Sequence, residues 1–272
     1  MEEPLLQVRE LTKTYTQHRF LSHKRREIPA LRGVTLSIHR GCTLALVGES
    51  GSGKSTLARC VARLEDATTG QIWFGDTDLT TLNSAQLKPF RCRIQLLLQD
   101  SAAAMNPNFL AWEVVAEPLG IQQRGTPGQQ KVKALEMMDQ VGLPKTLAER
   151  HPHELSGGQR QRLAIARAVV LDPEFLVLDE PFVGLDVSVQ AQIGNLLLTI
   201  QRERSLTYLL IAHDLALAIS LSDEIAVIHS GTIIENATPS EILQTPRQSY
   251  TTQLVAAACG PGVRRAGTGG AL

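Results

Sequence analysis

Aromatic residues make up only 4% of the 272 positions, so aliphatic side chains must build most of the core. Neither sign of charge prevails: 27 Lys and Arg balance 27 Asp and Glu, a formal net charge of zero. That balance argues against a protein that holds nucleic acid through a broadly basic surface. Cysteine is scarce. Cys42, Cys60, Cys92 and Cys259 form no CxxC pair or ligand cluster, and they read as buried or incidental thiols of a reducing compartment. No apolar run approaches the ~20 residues that cross a bilayer. The opening MEEPLLQVRE is acidic and lacks the apolar stretch of a signal peptide. The expectation is a cytoplasmic chain of one large or two modest domains, meeting a membrane only through a partner. No internal repeat is visible.

What is present is a phosphate loop. GESGSGKST runs Gly48, Glu49, Ser50, Gly51, Ser52, Gly53, Lys54, Ser55, Thr56 and fits G-x-x-x-x-G-K-[ST]. It lies between a predicted strand, CTLALV, and a predicted helix, KSTLARCVARL, which is the context the motif needs. The glycines let successive N–H groups turn inward on a β-phosphate, Lys54 adds a point charge for β/γ oxygens, and the Ser55 hydroxyl can ligate Mg²⁺. An ordinary flexible turn does not require Lys and Ser at those offsets.

FLVLDEP adds the other half of an NTPase site. Its apolar run places Asp179 at the carboxyl end of a strand, beside the phosphate loop, where it can hold Mg²⁺ through water. Glu180 follows. A surface salt-bridge role is common for glutamates, but the adjoining Asp179 favours a general base for an attacking water. His213 ends the short apolar strand LLIAHD and, alone, would be a plain surface residue. Beside Lys54 and Glu180 a γ-phosphate contact is the better reading.

A second glycine-rich device opens LSGGQRQRLAIARAVV, with Ser156, Gly157 and Gly158 heading a predicted helix. Free N–H groups and the positive dipole end make such a helix start an anion site. Elsewhere, LLQVREL and GVTLSIHRG alternate as half-buried strands, and QHRFLSHKRREIP (Gln17 to Pro29) reads as a solvated basic loop. FLVLD and LTYLLIAHD are buried parallel strands of an α/β sheet, and EIAVIHSGTIIENA is a hairpin turning at Ser230-Gly231. The span from Pro89 to about Leu155 is irregular, then helical, as in QKVKALEMMDQVGL. The tail GPGVRRAGTGGAL from Gly260 is Gly-rich and reads as disordered.

Together these residues resemble the ATP-binding-cassette (ABC) ATPases: Gly48 to Thr56, Gln99 after a strand, LSGGQ at Leu155 to Gln159, LVLDE at Leu176 to Glu180, GLD at Gly184 to Asp186, and His213. The resemblance spans about Leu5 to Ala237. It implies an α/β fold: a P-loop NTPase (RecA-like) core with an antiparallel β subdomain and an inserted α-helical subdomain at about 89–168, within an ATP-binding domain of residues 1–259 and a tail of 260–272. It implies ATP and Mg²⁺ as cofactors, with Glu180, His213 and Gln99 as catalytic residues and Ser55, Gln99 and Asp179 around the metal. Tyr15 stands where the family places an aromatic that stacks on adenine; a strand-end packing role is the alternative.

The resemblance also gives the second device a ligand. In this family two cassettes pair head to tail, and each ATP lies between the phosphate loop of one and the LSGGQ of the other. Leu155, Ser156, Gly157, Gly158 and Gln159 would then serve the partner's nucleotide, with Asp186 in the loop between the two sites. That Gly157 and Gly158 only allow close helix packing is hard to square with the adjoining Ser156 and Gln159.

A narrower resemblance is to the ATPases of peptide and nickel importers, through QDSAAAMNP, AEPL, HPHELSGGQRQR, LDVSVQAQI, IAHDLA and TPRQSYTTQLVAA. Many members carry a cysteine-rich stretch after the Tyr-Thr segment. Here only Cys259 remains, which argues against an iron–sulfur cluster and inclines the reading toward a nickel or metal-chelate branch. The implied partners are a second, identical or paralogous ATPase subunit, integral-membrane permease subunits and an extracytoplasmic solute-binding protein, with no nucleic acid. The implied place is the cytoplasmic face of the inner membrane, as a peripheral subunit. Gln99 through about Glu117 would couple the γ-phosphate to the permease. A soluble cassette acting on DNA or ribosomes is the alternative, but no heptads separate Lys54 from Leu155 and only one cassette is present. An inactive scaffold should have lost Lys54, Glu180 or His213.

Overall fold

The computed structural model describes residues 3–18, 25–100 and 104–259. In chain order the elements are β1 (Pro4–His18), β2 (Arg25–His39), β3 (Thr43–Val47), α1 (Lys54–Val61), β4 (Thr69–Phe74), β5 (Thr77–Asp78), α2 (Ser84–Leu87), α3 (Phe90–Arg93), β6 (Ile94–Leu97) and α4 (Ala111–Ile121). There follow α5 (Pro127–Gln140), α6 (Gly157–Val169), β7 (Phe175–Asp179), α7 (Val187–Arg204), β8 (Thr207–Ala212), α8 (Leu215–Leu221), β9 (Glu224–His229), β10 (Thr232–Ala237), α9 (Pro239–Gln244) and α10 (Ser249–Cys259).

Two sheets result. The smaller is antiparallel, in the order β2-β1-β4-β5; the larger has the order β10-β9-β3-β8-β7-β6. Within the larger sheet β9, β3, β8, β7 and β6 run parallel, and only β10 is antiparallel. Every residue of β3, β7 and β8 is buried, because both faces of this sheet are covered. Alternate side chains serve different layers. Leu44, Leu46, Val177 and Ile211 pack with α1 and the small sheet, while Ala45, Leu178, Leu210 and Val227 pack with the helical side of the molecule.

The strands expected from FLVLD, LTYLLIAHD and CTLALV are present, and so is the helix after Ser156. Two details differ. The segment Gln17 to Pro29 is not all loop: β1 and β2 stay paired out to His18 and Arg25, since ladder hydrogen bonds satisfy the backbone whatever charge the side chains carry. The irregular span from Pro89 opens on α3 and then β6, the edge strand of the large sheet beside β7, so the helical region starts after Leu97. Its apolar run is too short for a helix. Residues 19–24 in the middle of the Gln17 to Pro29 segment, residues 101–103 and the Gly260 tail lie outside the described residues.

The β9–β10 hairpin turns at Ser230 and Gly231, both left-handed at φ 49 and 83, the pairing a two-residue hairpin favours. This turn braces the phosphate loop. Gly231 N–H donates to Ser52 O at 2.9 Å, and Arg32 N–H donates to Gly231 O at 2.9 Å. A Cβ at Gly231 would sit 2.7 Å from the Ala30 carbonyl oxygen. Gly231→Ala should therefore destabilise the chain by about 1–3 kcal/mol, through the collision and the left-handed φ. Urea unfolding should show a lowered midpoint at unchanged slope, and a midpoint equal to the parent's would refute the brace.

Candidate functional site

Because the large sheet is parallel, its carboxyl ends share one edge, where α/β proteins place their ligands. Along that edge β3 delivers Gly48, β8 delivers His213, β7 delivers Asp179 and Glu180, and β6 leads to Gln99. Gln99, Glu180 and His213 open on a cavity of about 510 Å³ that is also lined by Ser50, Gly51, Gly53, Lys54, Ser55, Thr56, Ala30, Arg59 and Val183.

The loop from Gly48 to Thr56 is pressed against its neighbours. A Cβ at Gly48 would collide with the Ile228 carbonyl oxygen, and one at Gly53, with φ 110, would lie 2.6 Å from Ala30 O. Gly53 also heads α1 and offers no side-chain cap, so the first N–H groups of that helix stay open to a ligand. The buried Ser52 hydroxyl has no partner. Open donors and an orphaned hydroxyl fit a phosphate. Lys54 is 5% exposed, and its ammonium donates to Gly48 O at 2.8 Å and Glu49 O at 2.9 Å. Burial holds its pKa below the usual lysine value, opposed by the charges of Glu180 and Asp179.

Asp179 is 4% exposed and accepts a hydrogen bond from the Ser55 hydroxyl at 3.1 Å. Desolvation raises its pKa, the Ser55 hydrogen bond opposes that, and Glu180 adds to the rise. Glu180 has a left-handed φ of 50, uncommon for a non-glycine residue, and its N–H donates to Ile211 O at 3.1 Å. Its carboxylate accepts from the Gln99 amide at 2.7 Å. Among the described residues no group of three or more His, Cys, Asp or Glu could hold a metal. Ser55 and Asp179 are nonetheless hard oxygen donors of the kind Mg²⁺ takes beside phosphates, where dedicated all-protein cages are unusual.

The remaining candidates stand outside this cavity. Tyr15 lies beside it: the phenol donates to Glu65 at 2.5 Å, and its oxygen is 3.5 Å from the Thr56 hydroxyl. Asp186 caps α7, accepting from Val189 N–H at 2.9 Å. None of Leu155, Ser156, Gly157, Gly158 and Gln159 lines the cavity. Ser156 and Gln159 form a capping box at the start of α6: Ser156 Oγ accepts from Gln159 N–H at 3.3 Å, and Gln159 Oε1 accepts from Ser156 N–H at 2.9 Å. The two glycines differ. A Cβ on Gly158 would meet Val189 Cγ1 at 2.9 Å, so Gly158 does allow close helix packing, whereas Gly157 is exposed with only Leu185 Cδ2 at 3.7 Å. The packing alternative thus holds for one glycine of the pair.

Sequence reasoning missed Arg59, which lines the cavity and pairs with Glu65 at 2.6 Å. Its signal was legible: it lies four residues after Ser55, on the same face of α1. Ala30 and Val183 carry no such signal.

A glycine loop between a central parallel strand and a helix, faced by an Asp-Glu pair from the next strand but one, defines a P-loop nucleotide-binding protein. The chain belongs to the ABC transporter family, whose profile matches residues 31–183. It is 40% identical to the dipeptide transport ATP-binding protein DppF of Escherichia coli over 94% of this chain and 77% of that protein. It is 39% identical to the oligopeptide transport ATP-binding protein OppF of Bacillus subtilis, over 94% of this chain and 83% of that one. Among solved structures it is similar to the dimeric cassette MJ0796 in a post-hydrolysis state with ADP and phosphate. The TM-score there is 0.77 at 29% identity, over 86% of this chain and 98% of that one. DppF and OppF carry peptide-transport names, so the inclination toward a nickel or metal-chelate branch has no counterpart in them.

Asp179→Asn keeps an acceptor for Ser55 and removes a buried charge beside Glu180. A raised folded-state pKa means the ionised form costs stability, so the parent loses stability as pH rises from the ordinary Asp value of about 3.9 through the raised one. The asparagine variant does not. Without nucleotide and in EDTA, it should melt roughly 2–4 °C higher at pH 7, with the gap closing toward pH 3.5. A variant that melts lower at pH 7 would contradict this assignment.

Proposed function

We propose that this chain is the ATP-hydrolysing subunit of an ABC importer that takes up peptides through a separate permease. The observation that carries the two-chain reading is the separation of two anion devices. The phosphate cavity at Gly48 to Thr56 is complete without residues 155–159, while the α6 start presents Gly157 to solvent with its N–H unclaimed by the helix. ATP bound in one cassette fills the first device, and a second copy or paralogue supplies the second. The dimeric MJ0796 neighbour and the transport names of the relatives support this reading.

In this scheme the working unit is residues 1–259, with the helical part, from after Leu97 to about residue 168, carrying the signature LSGGQ. Backbone N–H groups of residues 51–56 and the Lys54 ammonium hold the β- and γ-phosphates. Ser55, Asp179 and Gln99 would hold Mg²⁺, which would neutralise charge on the phosphate oxygens. Glu180 takes the proton of the attacking water, and His213 holds a γ-phosphate oxygen. Tyr15 stacks on adenine after its phenol leaves Glu65. Leu155 to Gln159 close on the partner's γ-phosphate, and Asp186 lies between the two nucleotides.

ATP binding closes the pair, hydrolysis opens it, and the permease converts that motion into alternating access. The segment from Gln99 to about Glu117 carries the motion. A solute-binding protein outside the membrane delivers the peptide. No helix among the described residues is long and apolar enough to cross a membrane. The transport names of the relatives support a place at the cytoplasmic face of the inner membrane, reached through the permease. No observation favours action on DNA or ribosomes.

Glu180→Gln should bind ATP yet hydrolyse it at least ~10²-fold more slowly, because an amide cannot take the water's proton. Near-parental phosphate release by the reconstituted transporter would remove Glu180 from that role. Gly157→Asp should leave ATP binding by the isolated chain intact, since the substituted side chain has room, and should abolish hydrolysis by placing a carboxylate against the partner's γ-phosphate. Where the chain pairs with itself, mixing Gly157→Asp with Lys54→Ala chains puts both lesions in one composite site and leaves the other intact, so activity should partly return. Loss of ATP binding by a well-folded Gly157→Asp monomer would show that the signature acts within its own chain.

A further inference from the structure

The peptide joining Gly48 to Glu49 is gripped on both sides. Its carbonyl, on Gly48, accepts from the Lys54 ammonium at 2.8 Å, and its N–H, on Glu49, donates to the Tyr250 hydroxyl at 3.0 Å. In a trans peptide these two groups lie in one plane and point in opposite directions, so Lys54 and Tyr250 hold that plane from opposite edges. The next carbonyl, Glu49 O, also accepts from Lys54 at 2.9 Å. Two of the ammonium's three donors are thus aimed by carbonyls whose orientation depends on that plane.

Tyr250 comes from α10, 201 positions away and well outside residues 31–183 that match the family profile. The helix is fixed where it begins. Glu235, 7% exposed on β10, accepts from the N–H groups of Arg247 at 2.8 Å and Gln248 at 3.2 Å. The Tyr250 ring then rests on His229, with centroids 4.3 Å apart and planes at 47°. Burial raises the phenol's pKa, which keeps it a neutral hydroxyl whose oxygen can accept. The Ser230-Gly231 turn, which begins one residue after His229, is the same turn that holds Ser52 O.

We infer that Tyr250 is a positioning residue of the nucleotide site: it orients the Gly48–Glu49 peptide and, through it, the Lys54 ammonium. The C-terminal helix is by this contact part of the ATP site. Nothing else described holds the Glu49 N–H, and Gly48 offers little resistance to rotation of that peptide. The inference rests on the reading of Gly48 to Thr56 as the phosphate loop. It deepens that reading by extending the site to a helix from the far end of the chain.

Tyr250→Phe keeps the ring on His229 and removes the hydroxyl alone. In the isolated full chain, titration with a trinitrophenyl ATP analogue, and competition by ATP and ADP, should show affinities weakened roughly five- to tenfold, the usual effect of one hydrogen bond. Both nucleotides should suffer, ATP at least as much as ADP, because the Lys54 ammonium serves the γ- as well as the β-phosphate. The melting midpoint without nucleotide should fall by no more than about 4 °C, the shift that loss of one hydrogen bond of ~1 kcal/mol brings. In the reconstituted transporter KM for ATP should rise while kcat stays within about twofold, since Tyr250 touches no reacting atom. Unchanged affinity overturns the inference, as does a fall in the nucleotide-free melting midpoint beyond that margin, which would mark a packing role. Lys54→Ala, titrated alongside, separates the two claims. If it binds as the parent does, the phosphate-loop reading itself fails; if it loses binding while Tyr250→Phe does not, only the role of Tyr250 fails.

Discussion

A buried ammonium is tolerated only where fixed oxygens surround it, and Lys54 meets that condition at the centre of this site. Two loop carbonyls accept from it, and the charges of Asp179 and Glu180 oppose the penalty of its burial. The carbonyls require a loop that doubles back tightly, and that loop requires glycine at Gly48 and Gly53, where any Cβ would strike a neighbouring backbone oxygen. The neighbouring oxygens belong to Ile228 and Ala30, so β9 and β2 must be in place before the loop can be. One charge thus depends on strands drawn from both sheets.

The site holds more strain and like charge than stability alone would select. Asp179 and Glu180 are adjacent carboxylates, one of them buried, and Glu180 sits at a left-handed φ. Ser52 keeps a buried hydroxyl without a partner. Such features cost free energy in the empty protein and are compensated when a polyphosphate with its counter-ion enters. The covered faces of β3, β7 and β8 supply the rigid core that can carry them.

The start of α6 serves two purposes with neighbouring residues. Ser156 and Gln159 satisfy each other as a capping box, and Gly158 makes room for Val189 of α7. Those are ordinary structural duties, and they leave Gly157 and the helix end free. A helix start that is already capped by its own side chains holds its shape before any ligand arrives. It can therefore present open N–H groups to a phosphate without first having to order itself.

Much of this was legible in the sequence because it is local. The phosphate loop, the Asp-Glu pair at a strand end, the LSGGQ helix start and the Ser230-Gly231 hairpin each depend on residues a few positions apart, where turn chemistry and apolar periodicity act directly. Arg59 was also within reach, one helical turn past Ser55. Tertiary structure alone decided the rest. The strand order β3-β8-β7-β6 lines up Lys54, His213, Glu180 and Gln99, and no pattern in the chain states that order. The length of the β1–β2 ribbon was set by pairing between strands, which overrode the two ends of a basic segment that reads as loop. The grip of Tyr250 on Glu49 joins residues 201 positions apart, with a spacing that follows from how α10 docks rather than from any local rule. Local chemistry named the parts of the phosphate site, and only the packing of β10, α10 and the hairpin turn against the loop decided how firmly those parts are held.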